Sequence, residues 1–157
     1  MLANQETLQL IQDVLRKKGY IDIPSYGRSM EPYIKKGDLC RFVPFNPASI
    51  RKGDVVLYIA TSGQLIGHRV KEIIHTNKGK VFRLKGDTNL GFDEEVDSEQ
   101  FIGKLLLIQR GDKVLEPSDF SLKCWTRMVL IFPLLSIILN KRVMKKRSEQ
   151  GVYSNAQ

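Results

Sequence analysis

With 157 residues, 42% hydrophobic and 27% charged, the chain is long enough for one domain with a real core, too short for two large ones and too apolar for a disordered polypeptide. Its formal charge of +8 raises nucleic acid and anionic membranes as partners, but residues 1–120 carry 18 Lys+Arg against 16 Asp+Glu while 121–157 carry 7 against 1. The basicity belongs to the tail, so no nucleic-acid partner is expected of the nearly balanced remainder.

Residues 1–19 read as an amphipathic helix. Leu8, Ile11 and Leu15 recur at helical spacing, with Leu10 and Val14 widening the stripe. Asn4 is the expected N-cap, Arg16, Lys17 and Lys18 suit the negative C-terminal dipole, and Gly19 is a natural stop. The segment has no apolar run of signal-peptide length, so neither a cleavable leader nor an N-terminal anchor is expected.

From residue 20 to 116 the pattern becomes short β-branched and aliphatic runs between glycine turns: Leu39 to Val43, Asp54 to Ala60, Arg69 to His75, Lys80 to Leu84 and Ile102 to Gln109. No helical stretch separates them, which predicts a mainly β fold: an antiparallel sheet or partial barrel flanked by an N-terminal amphipathic and a C-terminal apolar helix. Lys-Gly-Asp occurs at Lys36, Lys52 and Lys85, too unevenly spaced for a repeat array, and each copy is read as a turn that launches a strand. Arg110-Gly111-Asp112 is read as a hairpin turn rather than an adhesion signal, and the acidic cluster of Glu94, Glu95 and Asp97 as a solvated loop. Cys40 and Cys124 lack metal-ligand spacing and are assigned no role; no metal or other cofactor is expected.

Residues 117–147 form a linker and an apolar helix with a basic flank. The uncharged run from Met128 to Leu139, broken by Pro133 and Ser136, is short against the about 20 apolar residues that span a bilayer. With Trp125 as an interfacial residue and Lys141, Arg142, Lys145, Lys146 and Arg147 facing headgroups, residues 125–147 read as a membrane-associated helix on an anionic surface, kinked at Pro133. Lys123 and Arg127 add charge on the other side of the run. The bland alternative is a helix that closes the core or makes a dimer contact. Residues 148–157 are polar and expected to be a flexible tail.

Chemistry concentrates in three ordered stretches. Ser29 sits in Gly27-Arg28-Ser29-Met30-Glu31-Pro32, a loop with tight-turn glycine before it and proline after. Gly67-His68-Arg69-Val70 follows, then Lys85-Gly86-Asp87-Thr88-Asn89 with Asp93 beyond. A serine hydroxyl attacks poorly unless a base removes its proton, and a histidine base works best when a carboxylate fixes its tautomer. The three stretches supply these parts in the order Ser, His, Asp. His75, near a turn at Asn77 to Gly79, is read as exposed and inert.

Ser29-Met30-x-Pro32, the Gly37-Asp38 and Gly53-Asp54 strand openings, His68-Arg69-Val70 and Lys85-Gly86-Asp87-x-Asn89 with Asp93 together resemble type I signal peptidases over roughly residues 24–108. The chain is most similar to the branch of the endoplasmic reticulum, archaea and some Gram-positive bacteria, in which histidine replaces the lysine base. The resemblance implies a serine endopeptidase with Ser29 as nucleophile and His68 as base. It leaves two claimants for the acid: Asp93 at the triad position, and Asp87, which could instead brace Arg69. It implies an extended precursor polypeptide as substrate, lying along a strand edge with small side chains before the cut. Met30 is expected in the core and Pro32 as a loop-former. Relatives often carry a hydroxyl two residues before the nucleophile; Gly27 stands there, so backbone N–H groups or Ser25 must supply that donor. Two other readings compete with this one: a non-catalytic scaffold that keeps the fold and docks on lipid through its tail, and, ranked lower, a self-cleaving repressor-type peptidase, which would need a lysine base, a DNA-binding module and an internal Ala-Gly site, none of which the sequence shows.

Overall fold

The computed structural model describes residues 5–77 and 79–154, and side chains over 9–77 and 79–145. Asn4, the expected cap, and the side chain of Leu8 lie outside the described residues. Helix α1 (Gln5–Lys18) is followed by strands β1 (Ile21–Pro24), β2 (Leu39–Val43), β3 (Val55–Ile59), β4 (Leu65–Thr76), β5 (Gly79–Lys85), β6 (Glu95–Asp97), β7 (Phe101–Arg110) and β8 (Lys113–Leu115). Helices α2 (Phe120–Ile131) and α3 (Leu135–Ser154) end the chain. All strand pairs are antiparallel, and the strands run in the order β1-β2-β7-β3-β4-β5-β6 with β8 attached to β7. The mainly β, antiparallel expectation holds, in an open sheet of eight strands that does not close into a barrel.

Strand alternation builds two cores, one on each side of β3. Val55 and Leu57 join Met30, Phe42, Leu105 and Ile108 in one cluster, while Val56 and Tyr58 join Val70, Phe82, Leu84 and Val96 in the other. Each fully buried aliphatic side chain contributes about 1.5–3 kcal/mol, so neither face of the central strands is free to face water. Strand β4 changes partner along its length, pairing β3 over Leu65–Arg69 and β5 over Arg69–Thr76. Its first residues therefore have no β5 partner on their other side.

Several sequence expectations need correction. Leu10 is 64% exposed, so the buried side of α1 rests on Ile11 and Leu15 alone among its described leucines and isoleucines. The first two Lys-Gly-Asp turns do precede β2 and β3, through Gly37 (φ +90°) and Gly53 (φ +100°), a backbone that side-chain-bearing residues resist. The third does not launch a strand: Lys85 ends β5 and Gly86-Asp87 opens a loop. Glu95 and Asp97 belong to edge strand β6, and Glu94 accepts hydrogen bonds from Thr61, so the acidic cluster is not a free loop.

The C-terminal region is two helices rather than one kinked helix, broken around Pro133 and bent by 111°. Among the described residues no single helix is long and apolar enough to cross a membrane, and only the bent pair together reaches that composition. Leu122, Val129, Ser136, Leu139 and Val143 are buried, while Ile131 (67%), Phe132 (61%) and Leu134 (71%) at the bend are exposed. The helix pair thus closes the domain with one side and presents an apolar tip with the other. Residues 148–154, expected as a flexible tail, continue α3 to Ser154.

Candidate active site

The serine loop leaves β1 at Pro24 and is drawn shut at its base, where Ser25 N–H donates to Asp38 O (2.8 Å) and Gly37 N–H to Ser25 O (2.8 Å). Met30, Tyr33 and Ile34 are 3–4% exposed and anchor it in the first core, as expected for Met30. Arg28 pairs with Glu31 at 2.9 Å across the turn.

The loop is held from the other side by the chain after β5. Thr88 N–H donates to Ser29 O (2.8 Å), and the Thr88 hydroxyl lies 3.2 Å from Ser29 O and 3.3 Å from Arg28 O. A Cβ on Gly86 would stand 2.8 Å from both Ser29 Cβ and Ser29 O, so only glycine permits this approach. The Lys85-Gly86-Asp87 motif, misread as a strand opener, is the seat of the serine.

His68, on the β4 stretch paired with β3, brings Nε2 to 2.9 Å from Ser29 Oγ and Nδ1 to 2.6 Å from Asp93 Oδ2. In the tautomer with its proton on Nδ1, the ring donates to Asp93 and accepts from the serine hydroxyl. The side chains of His68 and Asp93 are 8% and 15% exposed, dry enough to strengthen these bonds yet open on one side. Asp93 N–H donates to Leu84 O (2.9 Å), which returns the loop to the sheet beside His68. Ser29, His68 and Asp93 therefore form one continuous array, drawn from positions up to 64 residues apart in chain order.

Asp87, the other claimant, is turned away from this array. It accepts two parallel bonds from Arg69, Nε to Oδ1 and Nη2 to Oδ2, both 2.8 Å, with both side chains 0% exposed. Trp125 Nε1 donates to the same Oδ2 (2.9 Å), and Lys71 Nζ lies 3.7 Å from Oδ1. Arg69 also donates to Gly53 O and Thr126 Oγ1, each at 2.9 Å, and its guanidinium stacks 4.3 Å from the centre of the Tyr33 ring. Trp125, half-buried, thus commits its indole N–H to Asp87. Burial raises the Tyr33 phenol above its ordinary range, and the Arg69 guanidinium beside it offsets this only in part.

Tyr58 was not singled out by its sequence. Its hydroxyl is buried without a hydrogen-bond partner among the described residues, and burial, followed by the nearby Asp93 charge, pushes its pKa up. Thr88, Trp125 and Asn140 were also missed; Thr88 alone had a local signal, as the unspecified position of the Lys-Gly-Asp-x-Asn motif.

Beside Ser29 and His68 opens an apolar cleft of about 560 Å³. One wall runs from Ile23 to Met30 and the opposite wall from Leu65 to His68. The first wall begins on the outer edge of β1, which pairs only with β2, and continues along the serine loop; the second is the part of β4 that β5 leaves uncovered. Gly27 lies on the rim, where a Cβ would be 3.9 Å from Ser29 Oγ, so space does not forbid a hydroxyl side chain there. Ser25 lines the same cleft.

His75 is exposed near the end of β4. Cys40 is buried with its thiol pushed up to about 12, chiefly by burial, and Cys124 is half-buried; both are free. Among the described residues no group of three or more His, Cys, Asp or Glu side chains could hold a metal ion. The sequence matches no protein-family model and no curated protein.

Proposed function

We propose that the chain is a serine endopeptidase of the signal-peptidase type that cleaves leader or signal peptides from precursor polypeptides. The observation that carries this reading is the continuous array of Ser29 Oγ, His68 Nε2, His68 Nδ1 and Asp93 Oδ2, linked at 2.9 and 2.6 Å. His68 takes the proton of Ser29 as its oxygen attacks the scissile carbonyl. Asp93 holds the tautomer and stabilises the imidazolium, and backbone N–H groups at the serine loop face the developing oxyanion. Collapse of the tetrahedral species returns the proton to the departing amine and leaves an acyl-enzyme on Ser29. Water, deprotonated by His68, then releases the acid.

Two uncovered strand edges flanking an apolar cleft suit an extended peptide, which would add backbone hydrogen bonds on both sides and lower apolar side chains between them. The bent helix tip, with Ile131, Phe132 and Leu134 exposed and Lys141, Arg142 and Lys145 beyond it, supports association with an anionic membrane surface, where precursors are concentrated.

The second reading, a non-catalytic scaffold that keeps the fold and docks on lipid, is favoured by Gly27, which offers no side-chain oxyanion donor. Purified protein incubated with a panel of precursor peptides separates the two. Wild-type protein is expected to cleave, while Ser29→Ala and His68→Ala lose at least about a thousandfold in rate. Equal cleavage by all three proteins, or by none, would leave the scaffold.

A further inference from the structure

Residues 86–93 touch every member of the array. Thr88 holds the Ser29 carbonyl, Asp93 holds His68, and Gly86 leaves room for the serine's own backbone. This strap is in turn gripped from outside the sheet at two points. Trp125 of α2 donates to Asp87 (2.9 Å), and Asn140 Nδ2 of α3 donates to Thr88 O (3.1 Å). Thr88 therefore accepts from α3 through its carbonyl while its N–H donates to Ser29 O, a hydrogen-bonded line from helix to nucleophile.

Around that line the junction is not closely packed. A crevice of about 410 Å³ lies between α3 and the serine loop, walled by Glu31, Pro32, Thr88, Leu139, Arg142 and Val143. Leu139 and Val143 are buried at this junction, and the Asn140 amide adds the hydrogen bond from α3 to the strap.

We propose that Asn140 is a positioning residue for catalysis and that the helix pair is part of the active site rather than an appendage, holding Thr88 so that Ser29 stays in line with His68. The inference rests on the peptidase reading for its kinetic consequence but not for its structural one. Removing the amide donor frees the Thr88 carbonyl, the strap relaxes, and the serine loses register. Small losses of alignment cost reaction rate more than substrate binding, because Ile23 and Pro24 on β1 and Leu65 to Gly67 on β4 keep their places in the cleft while the serine loop shifts.

The test compares Asn140→Asp, which keeps the shape and replaces the donor by an acceptor, with Asn140→Ala, Asn140→Gln and Val143→Ala in the full chain. Val143→Ala loosens α3 by removing buried methyl groups one turn further on and leaves the hydrogen bond alone. Hydrogen exchange at the Thr88 amide is read first. It is expected to quicken about tenfold in Asn140→Asp and Asn140→Ala, to stay near wild type in Val143→Ala, and to recover partly in Asn140→Gln, which still donates. On a cleaved peptide, kcat should fall about tenfold in the first two with KM within about twofold. Quickened Thr88 exchange in Asn140→Asp and Asn140→Ala, beside a wild-type protein that cleaves nothing, would uphold the brace and remove the peptidase reading. Unchanged exchange in Asn140→Asp and Asn140→Ala, or an equal response from Val143→Ala, would overturn the proposal.

Discussion

Two aspartates six residues apart on one loop do opposite work, and adjacent residues of β4 select between them. His68 and Arg69 face opposite sides of the sheet, so His68 meets Asp93 beside the open cleft while Arg69 meets Asp87 inside the first core. Asp93 makes a single bond to a ring that can gain and lose a proton, and its side chain is 15% exposed. Asp87, fully buried, is locked by a fork from a guanidinium that never titrates and by an indole N–H. A carboxylate becomes chemical or architectural through what faces it, and one loop can supply both because strand alternation sends its partners to opposite sides.

The sharpest way to break this contrast is Asp93→Asn. The amide is nearly isosteric but presents the wrong partner to Nδ1–H, and a comparable change in a serine protease costs about ten-thousandfold in kcat. We expect a loss of about a thousandfold to ten-thousandfold in cleavage rate with the thermal midpoint nearly unchanged. Asp87→Asn should reverse the pattern. It leaves the Arg69 charge buried without its counter-ion, which costs about 3–5 kcal/mol of stability in such pairs. The fraction that remains folded should lose no more than about tenfold in rate per molecule, the size expected when the strap's other grip through Asn140 is broken, measured by active-site titration beside denaturant unfolding. If Asp87→Asn lowered turnover per folded molecule as far as Asp93→Asn does, the division of labour would not exist.

The ordered Ser29, His68 and Asp residues were legible in the sequence because each motif is local and chemically scarce, and the long apolar runs of β2, β3, β4, β5 and β7 announced themselves by composition. Choosing between Asp87 and Asp93 was not possible there, since spacing along a loop does not reveal which side of β4 each residue meets. Strands β1, β6 and β8 are three or four residues long, too short for a period to show. Trp125 was read as an interfacial residue because composition records an aromatic next to a basic, apolar run. Its Asp87 partner lies 38 positions earlier. The third Lys-Gly-Asp looked like its siblings although its glycine serves a close backbone approach and not a left-handed turn. Apart from the short strands, what escaped was a contact between distant segments.

The architectural side of the contrast has a weaker member, and pH exposes it. Arg69 and Lys71 both lie near the single buried carboxylate of Asp87, so one cation is in surplus. Burial, only partly offset by Asp87, pushes the Lys71 ammonium down from 10.5 to about 8, although it donates to Val129 O at 3.1 Å. Below pH 8 Lys71 is charged in both folded and unfolded chains, and the full cost of burying that charge is present. Between pH 8 and 10.5 the folded chain has shed the proton that the unfolded chain still binds, so stability rises with pH and the cost disappears. Cys40 acts against this from about pH 9, because its buried thiol keeps a proton that the unfolded chain loses. Lys71→Met isolates the lysine. At pH 7 it should stabilise the protein by on the order of 2 kcal/mol, after allowing for the lost bond to Val129, and the rise in urea midpoint between pH 8 and 9 should vanish. A variant less stable than wild type at pH 7, with the pH profile intact, would mean that the Lys71 ammonium is held favourably between Val129 O and Asp87. The architectural carboxylate would then anchor a second donor as well as the fork from Arg69.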